Sequence, residues 1–411
     1  MPTETPRRVL LVEQNWDGTA GGSFQSLYDI ARCMDRRRFT PIVLFQQPNR
    51  FVAPLAALGV PVHIWTRPAA PPAGRRRLPG QRYLNAAAGI ARRMRFLWQQ
   101  KIDIVHLNNA PSVGADDWLP AAHLLGRPCI THARLAAKPT RDPVHRWLER
   151  RFDLVLADSR HIAETVVATG VPRHRVRVVY EGVDAEEFRR SIHQPRDAMR
   201  QACGVGAEAI LVVMVGHLRP WKGQHVLVEA LALLTTERDR LRVIFVGGTP
   251  AGEESYAAAL VQRVAETGLT PIVSFVGERH NVADYMEASD IVVHASIIPE
   301  PFGIVVIEGM CLGKTVLASA LGGPLEIIVP GSGLLFDPAR PADVAQLLSQ
   351  ASSNAGLRAE LGRGARVRAD VFSVRALLDG TQAAYDDVLR RPNRGAPDPI
   401  TAQAREEQIG H

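Results

Sequence analysis

Ala209-Ile-Leu-Val-Val-Met-Val-Gly-His-Leu-Arg-Pro-Trp-Lys-Gly223 is the stretch that decides the architecture. Its first seven residues are an unbroken apolar run, the mark of a strand buried on both faces. A glycine-bounded loop follows, and residues 226–234 continue as an apolar helix. Strand, loop and helix in that order open a parallel α/β layer. Runs at 241–246, 272–276, 291–294 and 315–318 supply its further strands.

The same pattern occurs earlier in the chain. Arg8-Val-Leu-Leu-Val12 reads as a strand, and a loop with Gly18, Gly21 and Gly22 follows. Phe24, Leu27, Tyr28, Ala31 and Met34 then recur at helical spacing. Further strands fit at 41–45, 60–64, 102–106, 128–131, 154–157 and 176–180. The expected fold class is therefore α/β, with two Rossmann-like doubly wound domains. Residues 1–190 form the first domain, joined by an amphipathic helix at 374–390 that returns to it, and 191–373 form the second. Residues 184–206 read as a polar linker, 66–82 as a proline-containing mobile loop, and 391–411 as a disordered tail. Open α/β sheets bind ligands at the carboxyl ends of their strands, so two facing sheets would share one cleft.

The chain has 411 residues, with 49 Lys plus Arg against 42 Asp plus Glu, a net charge of +7. The positive field favours anionic partners. No apolar run reaches the roughly 18–20 residues of a membrane span, and the run after Arg7 and Arg8 ends at Glu13, short of a signal peptide. A cytoplasmic protein is expected. Cys33, Cys129, Cys203 and Cys311 are far apart and form no CxxC or Cys/His cluster, so zinc is not indicated and buried thiols are expected. No Asp-x-Asp occurs, so no metal held by paired aspartates is indicated. P-loop, GxGxxG and GxSxG patterns are all missing. No nucleic-acid recognition module is visible either.

The chemistry concentrates in Pro299-Glu-Pro-Phe-Gly-Ile-Val-Val-Ile-Glu308. Glu300 and Glu308 flank seven residues, and Gly303 to Leu312 is apolar apart from Glu308. A carboxylate in an apolar helix is costly to bury unless it is hydrogen-bonded. Such a Glu sits on a solvated stripe, caps a neighbouring element, or accepts hydrogen bonds from vicinal hydroxyls, as Rossmann acids do with ribose. The N–H groups of Phe302, Gly303 and Ile304 would face an anion or hydroxyl at the helix start. In the loop before the 226–234 helix, Gly216 permits close backbone approach and Lys222 offers a point charge suited to phosphate, or is a plain surface lysine. Asp17-Gly-Thr-Ala-Gly-Gly-Ser23 places Gly21 and Gly22 at a helix start, a weaker phosphate signal. His106 and His132 fall near strand ends, as structural or as cleft residues.

Together these segments resemble the retaining glycosyltransferases of family 4, or group 1, with the GT-B fold. The resemblance covers nearly the whole chain, in family order. It runs through the Gly-Gly loop, Asp103-Ile-Val-His106, Ala157-Asp-Ser159 and Val178-Val-Tyr-Glu-Gly-Val-Asp184 with Phe188. It continues through the loop from Gly216 to Gly223, Phe275-Val-Gly277, the Glu300/Glu308 segment, Gly322-Gly-Pro-Leu-Glu326 and Gly333-Leu-Leu-Phe336.

The resemblance implies roles. Glu308 would hold ribose hydroxyls of a nucleotide sugar. Glu300, with the amides of Phe302, Gly303 and Ile304, would hold the transferred sugar. Lys222 would neutralise the departing diphosphate, with Gly216, His217 and Arg219 beside it. Gly21 and Gly22 would approach the donor phosphates, His132 the donor sugar, and Gly277 and Glu278 would border the base. Two positions depart from the pattern: His217 stands where the family has Arg, and Glu181 where it has Asn before Gly182. An imidazole binds diphosphate less firmly than a bidentate guanidinium.

The expected reaction moves a sugar from a UDP- or GDP-linked donor to a glycan or lipid-linked acceptor, with retention and without a metal or other cofactor. Domain closure would expel water from the donor. The basic clusters Arg36-Arg-Arg38, Arg75-Arg-Arg77 and Arg92, Arg93, Arg95 meet the inner membrane surface or are simply solvated. The competing readings are a non-catalytic nucleotide-sugar-binding partner of another transferase and a GT-B epimerase.

Overall fold

The computed structural model describes residues 5–15, 22–66, 81–109, 117–137, 142–235 and 238–391. The chain divides into two compact units. The first holds Met1–Asp158, Ile162–Val179 and the chain from Leu378 on, and the second holds Ser159–His161 and Tyr180–Leu377. The main passage between units follows Val179, where the sequence pattern suggested 190.

In the first unit the described strands are β1 (Arg7–Glu13), β2 (Phe39–Phe45), β3 (Val62–Ile64), β4 (Ile104–Asn108), β5 (Cys129–Ala133), β6 (Leu154–Ala157) and β7 (Val176–Val178). They pair in parallel in the order β3-β2-β1-β4-β5-β6-β7. Leu10 lies opposite Ile42 on one side and Val105 on the other, and all three are fully buried. Burial on both faces is why these strands read as continuous apolar runs. Helix Gly22–Cys33 turns Phe24, Leu27, Ile30 and Ala31 inward. Truncating one such buried leucine costs about 2–5 kcal/mol. Strand order reverses between β1 and β4, which puts the functional end of the sheet there.

The second unit repeats the plan with β8 (Ile210–Val215), β9 (Leu241–Val246), β10 (Val273–Gly277), β11 (Ile291–His294), β12 (Thr315–Ser319) and β13 (Leu334–Phe336). The parallel order is β10-β9-β8-β11-β12-β13, with the reversal between β8 and β11. Val212, Leu227, Leu231, Val243, Ile291 and Leu317 are among its fully buried core residues. The fold class is α/β with two doubly wound parallel sheets, as the sequence pattern indicated.

Several expectations are corrected. The linker at 184–206 is not a loop. Helix Ala185–Arg190 starts at Asp184, whose side chain accepts the Glu187 N–H at 2.9 Å, and helix Arg196–Ala202 buries Met199. Both are too short to show periodicity in a polar sequence. His106 lies inside β4, not at its end. The thiols are mixed: Cys129 and Cys311 are buried, Cys203 is half-buried and Cys33 is exposed. Gly21, most of the proline-containing stretch with Arg75–Arg77, and the tail after Arg391 lie outside the described residues. Among the described residues no helix is long and apolar enough to cross a membrane.

Candidate active site

The second unit gathers its chemistry where β8 and β11 part. Gly216 follows β8, and its N–H bonds the Val246 carbonyl at the end of β9 (2.9 Å). The Gly247 N–H bonds the carbonyl of Gly277, which closes β10 (3.0 Å). Three adjacent strand ends therefore present backbone rather than side chains. A Cβ on Gly216 would lie 3.8 Å from Lys222 Cδ, so the lysine stem passes over this bare backbone. The lysine is set by the turn Pro220–Lys222, which Gly223 ends at φ +73°. A side chain at 223 would bring Cβ within 1.9 Å of the Ala295 carbonyl oxygen, so only glycine fits.

Lys222 Nζ donates to both oxygens of Glu300, at 3.1 and 2.9 Å. It also stands 4.2 Å from the centre of the Trp221 ring. Ser296 Oγ donates to Glu300 Oε2 at 2.7 Å. His294 Nε2 lies 3.2 Å from the same oxygen. A carboxylate only accepts, so His294 carries its proton on Nε2, and Nδ1 is left buried without a partner among the described residues. Burial pushes the Glu300 carboxyl up. The His294 bond, the Lys222 charge and the Ser296 bond outweigh it and hold the group well below the usual carboxylate range. Its backbone is pinned as well: the Gly323 N–H donates to the Glu300 carbonyl at 2.8 Å.

Phe302 is buried and stacks on Tyr180 with ring centres 5.9 Å apart. Gly303, at φ +109°, turns the chain into helix Ile304–Cys311, whose first N–H groups have no acceptor within the helix. Glu308 lies half-buried on that helix among Val306, Ile307, Met310 and Cys311, and no hydrogen bond to its carboxylate is found among the described residues. Burial alone pushes its pKa up to about 7.

The loop positions beside Lys222 are held differently. His217 is exposed, and its carbonyl accepts Gln224 Nε2 at 2.8 Å. Arg219 is half-buried, and its Nε has no partner among the described residues. Glu278 is exposed, its Cβ 3.3 Å from where a side chain on Gly248 would begin.

The first unit holds a second polar cluster, which the sequence reading missed apart from His106 and His132. Glu13 ends β1 fully buried and accepts Asn108 Nδ2 at 2.5 Å and the N–H groups of Gln14 and Asn15 at 3.0 Å. Burial pushes its carboxyl up, against those bonds and the charge of Arg134. Arg134, itself buried, donates to Asn108 Oδ1 at 3.0 Å and to His132 Nδ1 at 3.2 Å. A guanidinium can only donate, so His132 keeps its proton on Nε2. Burial, then the charges of Arg134 and His106, hold His132 well below the ordinary histidine range, against the Val179 carbonyl. That environment favours the neutral imidazole. Its ring stacks on His106, whose Nδ1 lies 2.8 Å from the Tyr385 hydroxyl, and burial pushes the His106 pKa down to about 3. Gly22 is exposed at the start of its helix. The structure thus joins Lys222 directly to Glu300 in the second unit and sets His132 and Gly22 in the first. Among the described residues no group of three or more His, Cys, Asp or Glu is placed to hold a metal ion.

Known proteins repeat this plan. The profile described as "Glycosyl transferases group 1" matches residues 195–368, and that described as "Glycosyltransferase Family 4" matches 20–187. The D-inositol 3-phosphate glycosyltransferase of Gordonia bronchialis is 27% identical over 98% of this chain and 94% of its own length. That of Jonesia denitrificans is 32% identical over 66% of this chain and 68% of its own. The crystal structure of Anabaena HepE in complex with UDP-glucose superposes with a TM-score of 0.75 at 27% identity, over 92% of this chain and 99% of HepE. With both profiles matched in order on two such sheets, the chain belongs to the group 1, family 4 glycosyltransferases.

Proposed function

We propose that this enzyme moves a hexose from a UDP-linked donor to a hydroxyl of a glycan or lipid-linked acceptor, with retained anomeric configuration and without a metal. The observation that carries the reading is the pairing of Lys222 with Glu300 beside bare strand ends, with the Glu308 carboxylate, unpartnered among the described residues, on the helix that follows. The HepE complex with UDP-glucose supports a UDP donor rather than a GDP one.

In this reading Glu308 accepts the ribose hydroxyls, and Glu300 with the Phe302, Gly303 and Ile304 amides holds the transferred sugar. Lys222, flanked by His217 and Arg219 and the backbone of Gly216, turns to the diphosphate as charge builds on it. Gly277 and Glu278 border the base. In the first unit His132 donates from Nε2 to a donor-sugar oxygen, and Gly22 approaches the phosphates, with Gly21 before it. The C1–O bond to the phosphate breaks as the C1–O bond to the acceptor forms on the same face. The acceptor's proton passes to the leaving phosphate oxygen. Glu300, already engaged by Lys222, Ser296 and His294, is a poor nucleophile, so no glycosyl-enzyme forms.

The test is transfer from UDP-, GDP-, ADP- and CMP-sugars to an acceptor panel that includes D-inositol 3-phosphate, with EDTA present. Transfer from a UDP-sugar, lost in Glu300→Ala, is expected. Binding without turnover across the panel would refute it, and a trapped glycosyl-enzyme in a mass spectrum would refute the same-face route.

A further inference from the structure

The first unit carries a basic groove that the proposed reaction does not use. It lies between helix Pro143–Glu149 and the turn Arg173–Arg175, and Arg146, Trp147, Arg150 and Arg175 line it. Arg146 and Arg150 are exposed one helical turn apart, and no ion pair to either is found among the described residues. Glu149, the carboxylate between them, is turned inward at 3% exposure. Most of the described arginines in the other basic clusters are engaged by contrast. Arg37 pairs with Asp35, Arg38 with Asp386 and Arg93 with Asp117, and Arg92 lies 4.4 Å over the Trp65 ring.

The same helix shows water two large apolar side chains, Val144 at 64% and Trp147 at 54% exposure, three residues apart and so on one face. The Arg151 guanidinium caps the Trp147 ring at 3.8 Å. A soluble polyanion would satisfy the arginines and leave Val144 and Trp147 in water. An anionic bilayer satisfies both, since indoles favour the headgroup level and basic side chains the phosphates around them.

We propose that this surface docks the enzyme on an anionic membrane, with Trp147 and Val144 at the headgroup boundary and Arg146 and Arg150 on lipid phosphates. The docking does not depend on the identity of the sugar donor.

The full chain is sedimented with phosphatidylcholine vesicles, with and without about a third phosphatidylglycerol, at low and high salt. Binding is expected to the anionic vesicles alone, weakening as salt rises, with a blue shift of tryptophan fluorescence that is smaller in Trp147→Phe. The double variant Arg146→Ala/Arg150→Ala should bind about thirty-fold more weakly, from about fivefold per basic residue. It should keep the circular dichroism and Tm of the parent. The proposal would be overturned by no vesicle binding by the parent, undiminished binding by the folded double variant, or binding lost in Arg75→Ala/Arg76→Ala/Arg77→Ala but kept in the double variant. Equal affinity for heparin with no fluorescence shift on vesicles would overturn it in favour of a soluble polyanion.

Discussion

Replacing Glu308 by glutamine should stabilise the free enzyme and weaken its grip on nucleotide. Burial raises this carboxyl from 4.5 to about 7. Between those values the folded chain holds a proton that the unfolded chain has released. Stability therefore falls as pH rises through that window and is level above it. At about 1.4 kcal/mol per unit, the charged form costs the fold about 3 kcal/mol near pH 8 and about 1 kcal/mol near pH 5. Solvent at the half-buried carboxylate lowers the first figure toward about 2 kcal/mol. Glutamine keeps the shape and sheds the charge. For a unit of about 200 residues, at about 2–4 °C per kcal/mol, Glu308→Gln should melt about 4–12 °C higher near pH 8 and only slightly higher near pH 5. Saturating UDP should shrink that advantage by about 1–2 kcal/mol. Ligand at about 100 times its Kd adds about 2.7 kcal/mol to the parent. The variant loses charge-assisted bonds worth about 1.5–3 kcal/mol, so its Kd rises at least about tenfold. Scanning calorimetry of both proteins, with and without UDP at both pH values, reads all of this. A free variant that melts at or below the parent near pH 8 would refute the reasoning.

Three further changes follow from the same geometry. Lys222→Met removes the counter-charge of Glu300 and the cation meant for the diphosphate, and kcat for sugar transfer should fall about 10²–10³-fold; a loss confined to KM would contradict that role. Gly223→Ala forces a Cβ within 1.9 Å of the Ala295 carbonyl at a left-handed position, and should cost at least about 2 kcal/mol in denaturant unfolding. Tyr385→Phe leaves the buried His106 Nδ1 unpaired and should cost the first unit about 1–3 kcal/mol, with an unchanged unfolding midpoint as the contrary result.

The strands were legible because a strand buried on both faces is apolar along its length, as 210–215 is throughout and 241–246 is apart from the half-buried Arg242. Three-residue β13 is not legible as a strand, since three residues carry no period. Glu300, Lys222 and Glu308 stood out as charges in apolar or glycine-rich surroundings. His294 and Ser296 did not, because a histidine and a serine at a strand end look ordinary until the chain folds Glu300 back onto them. The cluster of Glu13, Asn108 and Arg134 was hidden by distance along the chain. Asn108 is 95 residues from Glu13, and they meet because β4, rather than β2 alone, lies beside β1. Glu13 did leave a trace, as the charge that ends the first apolar run.

In the proposed reading, the bond between Lys222 and Glu300 makes the enzyme its own first competitor. A lone phosphate that draws the lysine away strands a carboxylate with 12% exposure, and a lone sugar must share Glu300 with an ammonium already seated on both oxygens. Only a molecule that brings an anion for one and hydroxyls for the other, on one skeleton, replaces everything it displaces. On that reading the pair works as a lock with two wards, open to nucleotide sugars and stiff toward lone phosphates and free sugars.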